Sequence, residues 1–275
     1  MREKPSLLRI PIALTIAGSD SGGGAGLQAD LKTFSANGVY GASVVTAVTA
    51  QNTLTVAAVH EIPSDIVAAQ IKTVLDDLDV DAIKIGMLFS HDIIAAVVKA
   101  LENSKIPVVL DPVMIAKSGD ALLQDEAVSA LKSLLLPKVD LLTPNLPEAA
   151  RLLGVEEAGS IHEMKQQAGA LLMLGPKAVL LKGGHGTGLT CTDILFCRGQ
   201  EFVQLDAPRQ NTKNTHGTGC TYSAAIAAEL AKGKSMELSV RNAHAYLQNA
   251  IINADQLSIG SGHGPVHHFH NLWAN

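Results

Sequence analysis

The chain has 275 residues, enough for one large domain or two small ones with a full core. Hydrophobic residues make up 47% and charged ones 17%, which argues against disorder; only 3% are aromatic, which argues against stacking walls for single-stranded nucleic acid. Lys plus Arg number 21 against 26 Asp plus Glu, a net charge of −5, and no long basic run marks a nucleic-acid or anionic-membrane surface.

In chain order, Arg2, Lys4 and Arg9 precede a short apolar stretch, as in a signal peptide. Pro11 interrupts that stretch and no small-residue cleavage site clearly follows, so residues 10–17 are read as a buried strand. Further strands are predicted at 42–50, 55–61, 82–85, 108–110, 141–143, 178–181, 193–197 and 202–205. Amphipathic helices lie between them. Val67, Ile71, Val74, Leu75 and Leu78 form one stripe, and Ile94, Val97, Val98 and Leu101 form another. Ser160 and Glu163 form a capping box that opens a helix to about Leu174. An apolar helix is predicted over 222–231. Strand–helix–strand alternation implies a mostly parallel sheet with helices on both faces, joined by right-handed crossovers. Around 42–61 and 193–205 strand follows strand, which predicts hairpins or edge strands. No linker or repeat divides the chain, so 1–275 reads as one domain.

Cys191, Cys197 and Cys220 are odd in number and lack a CxxC pair, which fits a reducing cytoplasm better than a disulfide framework. No uninterrupted apolar run is long enough to span a bilayer.

Ligands of open α/β sheets bind beyond the carboxyl ends of the strands. The unusual residues of this chain cluster at those places: Gly18-Ser19-Asp20, Gln51-Asn52, Gly86-Met87, Asp111-Pro112, Pro144-Asn145 and Lys182-Gly183-Gly184. Several common signatures fail. Gly233-Lys234-Ser235 lacks the upstream glycine of a P-loop, since Ala228 stands there. No GxGxxG, HExxH or GxSxG is complete. His267, His268 and His270 read as terminal packing and capping rather than a metal cluster.

The segment Asn214-Thr215-His216-Gly217-Thr218-Gly219-Cys220-Thr221 directly precedes an apolar helix. Two glycines there let backbone N–H groups converge at a helix N-terminus and bind phosphate or a developing oxyanion; a plain Gly-rich turn with a helix cap is the other reading. Cys220 inside the turn is expected to have a lowered pKa and to be a usable base or nucleophile. Cys191 and Cys197 read as small buried hydrophobes. The loop from Gly18 to Gly26 leads into a second helix and either cradles phosphate or lets a small substrate lie on the backbone, with Asp30 accepting a hydrogen bond. Asn145 and Glu148, three apart, suit Mg²⁺ held through water; taken alone, an ordinary helix cap with Glu148 complementing the dipole explains them better. Asp111 is a further carboxylate on this rim, and Lys182 either neutralises phosphate charge or snorkels along the edge.

These motifs together resemble the ribokinase superfamily, and most closely the bacterial hydroxymethylpyrimidine/phosphomethylpyrimidine kinases of thiamine biosynthesis. The family-like stretches are 17–34, 46–52, 84–87, 111–119, 142–149, 181–185, 211–221 and 264–270, covering nearly the whole chain in order. The resemblance implies a three-layer α/β/α fold with a central, mostly parallel sheet, and ATP-dependent phosphorylation of a pyrimidine's hydroxymethyl group and then of the monophosphate. It implies that Gly18, Asp30 and Gln51 contact the pyrimidine, with Met87 and Val113 beside the ring. Asp111 and Glu148 then serve Mg²⁺; Asn145, Lys182, Thr215 and Gly217 serve the nucleotide; Gly217, Gly219, Cys220 and Lys182 serve phosphoryl transfer. A homodimer is expected, with the hairpin near 42–61 as the candidate surface, and no nucleic-acid or membrane partner. Independently, a side-chain amide such as Gln51 can pair bidentately with an aminopyrimidine edge, and aliphatic and thioether walls can hold the ring without aromatics.

Ser21-Gly22 stands where many relatives have Pro-Ser, Tyr222 where smaller apolar residues are usual, and the expected flap over ATP at 185–192 is short. A pyridoxal-type kinase is the second enzymatic reading, and a non-catalytic pyrimidine sensor the reading from another class.

Overall fold

The computed structural model describes residues 9–114, 125–184 and 188–273. Residues 1–8, positions 115–119 of the stretch that opens at Asp111, and positions 185–187 of the expected flap lie outside the described residues.

The elements run β1 (Ile12–Ala17), α1 (Gly26–Ala36), β2 (Tyr40–Val45), β3 (Ala47–Gln51), β4 (Val56–Glu61), α2 (Ser64–Asp77), β5 (Ala82–Ile85) and α3 (His91–Ala100). They continue through β6 (Val108–Leu110), α4 (Asp125–Ala130), β7 (Leu141–Leu142), α5 (Leu146–Leu153), α6 (Ile161–Leu172), β8 (Ala178–Lys182), β9 (Thr190–Cys197), β10 (Val203–Pro208), α7 (Thr218–Ala231) and α8 (Met236–Ile252). The main sheet has the order β10-β9-β8-β7-β6-β5-β1-β2. It is parallel from β8 to β2, and antiparallel where β9 and β10 form its edge hairpin.

Alternation along each strand feeds two cores. Leu14, Ile16, Ile83, Ile85, Leu110 and Leu142 point to one face, where Val67, Ile71, Ile93, Val97, Leu152 and Leu171 of α2, α3, α5 and α6 meet them. Ala13, Ala82, Val109, Leu141 and Leu180 point to the other, against α1, α7 and α8. On that second face the partners are small: Ala224, Ala225, Ala227 and Ala228 let α7 sink against the sheet with almost every residue buried. The close seat of α7 fixes where its N-terminus points.

The predicted strand 42–50 is two strands in the structure. Thr46 breaks it: its N–H donates to the Ala17 carbonyl and its Oγ1 donates to the Met87 carbonyl at 2.6 Å. β3 therefore leaves the main sheet and pairs with β4 in a separate two-stranded sheet. The last predicted strand runs further, to Pro208, because its ladder with β9 continues to Thr190. The helix opened by Ser160 stops at Leu172, and its Ser160 side chain accepts from the Glu163 N–H as expected. The three cysteines are free.

Candidate active site

The carboxyl ends of β1, β5, β6, β7 and β8 open onto one cavity of about 680 Å³. Gly18, Gln51, Met87, Val113, Asp111, Asn145, Glu148, Lys182, Thr215, Gly217, Gly219 and Cys220 all line it. Of the expected site residues only Asp30 is missing from the wall.

One end of the cavity is built from thioether, aliphatic and amide groups. Gly18 has no side chain because the Met87 methyl group occupies the place of a Cβ, 2.3 Å away. Gln51 sits at a register shift in the β3–β4 ladder, where the irregularity re-aims its side chain. Ser21 clamps its backbone: Ser21 Oγ donates to the Gln51 carbonyl and accepts from the Gln51 N–H, both at 2.8 Å.

The other end is built for anions. Gly217 caps α7 with φ +77°, a conformation that favours glycine, and its Cα faces the Gly24 carbonyl so closely that a Cβ would stand 1.9 Å from that oxygen. The first-turn N–H groups of α7 have no intrahelical acceptors, and the residues that carry them, Thr218, Gly219 and Cys220, line the cavity. Beside them Lys182 Nζ donates to Asp111 Oδ1 at 2.9 Å. Burial pushes the Lys182 ammonium down, but Asp111 and Glu148 more than offset this and hold it charged.

Asn145 and Glu148 form a complete capping box on α5: Asn145 Oδ1 accepts from the Glu148 N–H and Glu148 Oε2 accepts from the Asn145 N–H, each at 2.9 Å. The helix-cap reading of this pair is thus realised, while both side chains also face the cavity. Burial pushes the Glu148 carboxyl up to about 7; Lys182 pulls it down and the nearby Asp111 carboxylate pushes it further up. Two buried carboxylates that repel each other next to an anion-binding helix end are a fitting donor set for a divalent cation that keeps several waters and phosphate ligands.

Two expectations are corrected. Asp30 does not face the cavity: its side chain is fully buried, and Oδ2 accepts from Thr15 Oγ1 at 2.6 Å and from Lys84 Nζ at 2.8 Å. Lys84 stands at the wall instead, and the charge of Asp30 keeps it protonated despite burial. Cys220 does not have a lowered pKa. Burial pushes its thiol up to about 11, and the carboxylates of Asp30 and Asp111 add to the rise. Lys84 and the Gly26 N–H oppose them and lose, because the charge of Lys84 is already committed to Asp30. The helix N-terminus was the wrong single guide: a thiol packed into the cavity wall follows desolvation first.

Sequence reasoning gave no role to Lys84, nor to Asp20 and His216 within the loops it singled out. Lys84 was visible as a lone cation inside an otherwise apolar strand, which must find a buried partner. Asp20 lies in the first Gly-rich loop, where it accepts backbone N–H bonds from Gly22, Gly24 and Ala25. His216 Nε2 meets Asp20 Oδ2 at 3.0 Å, tying that loop to the anion turn. The terminal histidines are packing groups: His268 is buried against Thr221 Oγ1 at 3.0 Å and His267 lies against Trp273.

Residues 20–267 match the family described as phosphomethylpyrimidine kinase. The chain is 56% identical to the hydroxymethylpyrimidine/phosphomethylpyrimidine kinase of Rhizobium meliloti over 262 residues, covering 95% of this chain and 98% of that one. It is 53% identical to the Escherichia coli enzyme of the same name, with the same coverage. Among solved structures, the phosphomethylpyrimidine kinase of Clostridium difficile superposes with a TM-score of 0.78 at 43% identity, over 88% of this chain and 100% of that one. The ADP complex of Bacillus subtilis pyridoxal kinase superposes with a TM-score of 0.87 at 37% identity, over 94% and 98%. The fold is the expected ribokinase-like α/β/α sandwich. With its anion turn, its carboxylate pair and its match along nearly the full length, the chain belongs to the phosphomethylpyrimidine kinase family.

Proposed function

We propose that this kinase transfers the γ-phosphoryl group of ATP to the hydroxymethyl group of 4-amino-5-hydroxymethyl-2-methylpyrimidine, and then a second one to the monophosphate. The observation that carries this reading is the continuity of one cavity, from the Gln51, Met87 and Val113 end to the Gly217–Cys220 turn. A flat aminopyrimidine fits the first end, with Gln51 reading its amine and ring nitrogen. Its hydroxymethyl group then points at Cys220.

The N–H groups of the α7 first turn and Lys182 receive charge on the moving phosphoryl group. Asn145 and Thr215 hold the nucleotide. Asp111 and Glu148 would hold Mg²⁺, which when bound supplies neutralisation of phosphate charge. Cys220 enters as a neutral thiol that positions the hydroxyl. A loose, metaphosphate-like transition state asks little of a base, so the alcohol proton leaves late, to an oxygen of the transferred phosphoryl group and from there to solvent. In the second step the nucleophile is an anionic phosphate and no base is needed.

Residues 1–275 acting as a single cytoplasmic domain, and as a homodimer, complete the proposal. The exposed apolar residues Tyr40, Val48 and Leu54 around the β3–β4 sheet support the dimer surface. Phosphate transfer from Mg·ATP to hydroxymethylpyrimidine, followed by separating mono- and diphosphate products, tests the activity. Pyridoxine is the comparison substrate, because pyridoxal kinases share this fold. A large preference for pyridoxine would overturn the assignment, and absence of ATP consumption with the pyrimidine would favour the sensor reading.

A further inference from the structure

We propose that His216 and Asp20 are positioning residues for phosphoryl transfer: the bond between their side chains sets the spacing of the Gly18–Gly26 loop, at the pyrimidine end, and the Gly217–Cys220 turn, at the anion end. The inference rests on the reading that the two substrates occupy those two ends.

The turn has one anchor on each side. Downstream, α7 is seated on the sheet by its alanines. Upstream, the His216 N–H donates to the Gly264 carbonyl at 3.0 Å, and the Gly264 N–H donates to Asn214 Oδ1 at 3.1 Å. Neither anchor refers the turn to the Gly18–Gly26 loop. The His216 side chain does: its Nε2 lies 3.0 Å from Asp20 Oδ2, with both side chains largely buried.

Asp20 is the hub of its loop. Its Oδ1 accepts from the Gly22 N–H at 2.8 Å, and its Oδ2 accepts from those of Gly24 at 3.0 Å and Ala25 at 2.8 Å. Burial pushes its carboxyl up, but the bonds from His216, Ala25 and Gly22 outweigh burial and hold it below the usual carboxylate range. An ionised Asp20 can only accept, so His216 Nε2 carries a proton and spends it there. The Gln51 amide nitrogen, 3.5 Å from the same ring nitrogen, gains no bond from it.

Around this bond the two loops pack without slack. A Cβ on Gly217 would stand 1.9 Å from the Gly24 carbonyl oxygen, and one on Gly24 would stand 2.4 Å from His216 Cδ2. From the same loop, the Gly26 N–H reaches the Cys220 thiol. A shift of the loop against the turn therefore moves the pyrimidine end relative to the first turn of α7. A misplacement of about 1 Å can cost transfer about a hundredfold.

The test is steady-state kinetics of both phosphorylation steps with His216→Ala, His216→Gln and Gly24→Ala. Thermal melts check that each variant folds; should one fail to, the other two decide. A glutamine amide can place an N–H where His216 Nε2 stands, and alanine cannot. His216→Ala is expected to lower kcat of both steps at least about tenfold while KM for ATP and for the pyrimidine changes less than about threefold. His216→Gln is expected to return kcat to within about threefold of the wild type. Gly24→Ala pushes the ring off Asp20 from the other side. It is expected to match the His216→Ala loss and to add nothing to it in the double variant, where the ring is gone. Loss in both steps separates this role from one exerted through Cys220, which touches the first step alone. An unchanged kcat, a change confined to KM, a loss in the first step only, or a glutamine variant no better than alanine overturns the positioning role alone. If the wild type transfers no phosphate to the pyrimidine, the reading beneath fails and the positioning role fails with it.

Discussion

Cys220 is one thiol whose environment decides between two chemistries. A thiolate would be a base; a thiol raised to about 11 is neutral at physiological pH, which fits the proposed role of orienting the hydroxyl. Its alkylation by iodoacetamide is expected to keep rising with pH through about 11; a plateau by pH 9 would mean the thiol is ordinary. Replacing it, Cys220→Ala, is expected to slow the first phosphorylation roughly 10–100-fold and the second by under about 3-fold, in separate turnover assays on alcohol and monophosphate. Equal losses in both steps would contradict the positioning role. Lys84 is the residue on which the wall depends. Lys84→Met strands the Asp30 carboxylate in a dry interior and is expected to cost about 3–5 kcal/mol in denaturant unfolding. The double change with Asp30→Leu is expected to recover most of that loss, and a stable single variant would show the pair to be dispensable.

Helix α7 joins fold to chemistry, because its alanines seat it on the sheet and its first turn faces the cavity. At Gly219 an added Cβ would stand 3.2 Å from Asp111 Oδ2 and 3.4 Å from Lys182 Nζ. Gly219→Ala is therefore expected to lower turnover at least about tenfold while leaving the melting temperature unchanged or slightly higher, since alanine favours the helix. Parallel losses of activity and stability would place its role in folding. The same helix is braced by His268, whose pKa burial lowers to about 3. A base lowered in the folded state stabilises fully only above its unfolded value near 6.5, and that stability falls as pH drops toward 3. His268→Gln is expected to lose about 2 kcal/mol less than the wild type between pH 7 and 5.

At this scale the sequence was most legible where period and chemistry agreed. Strand ends could be read because buried aliphatic runs stop at Gly, Asp, Asn or Lys, and those residues do meet at one rim. The break at Thr46 could not, since it depends on a hydroxyl finding the Met87 carbonyl across the chain. Asp30 misled for a related reason: only the three-dimensional neighbourhood shows Lys84 standing between it and the cavity.

In the whole molecule, two faces of one sheet are packed differently, and the cavity lies where the small-residue face brings α7 to the strand ends. The two-stranded β3–β4 sheet stands apart and carries Gln51 inward and Val48 outward. If that outer face joins two copies, Val48→Lys is expected to halve the sedimenting mass; an unchanged mass would remove the face from the assembly. Aromatic scarcity, first a sign against nucleic-acid stacking, also fits the proposed ring site, where Met87 and Val113 line the cavity. The most direct measurement is transfer of phosphate from Mg·ATP to 4-amino-5-hydroxymethyl-2-methylpyrimidine with the products separated over time. The account predicts monophosphate appearing first and diphosphate after it; a monophosphate that never proceeds, or faster phosphorylation of pyridoxine, would contradict it.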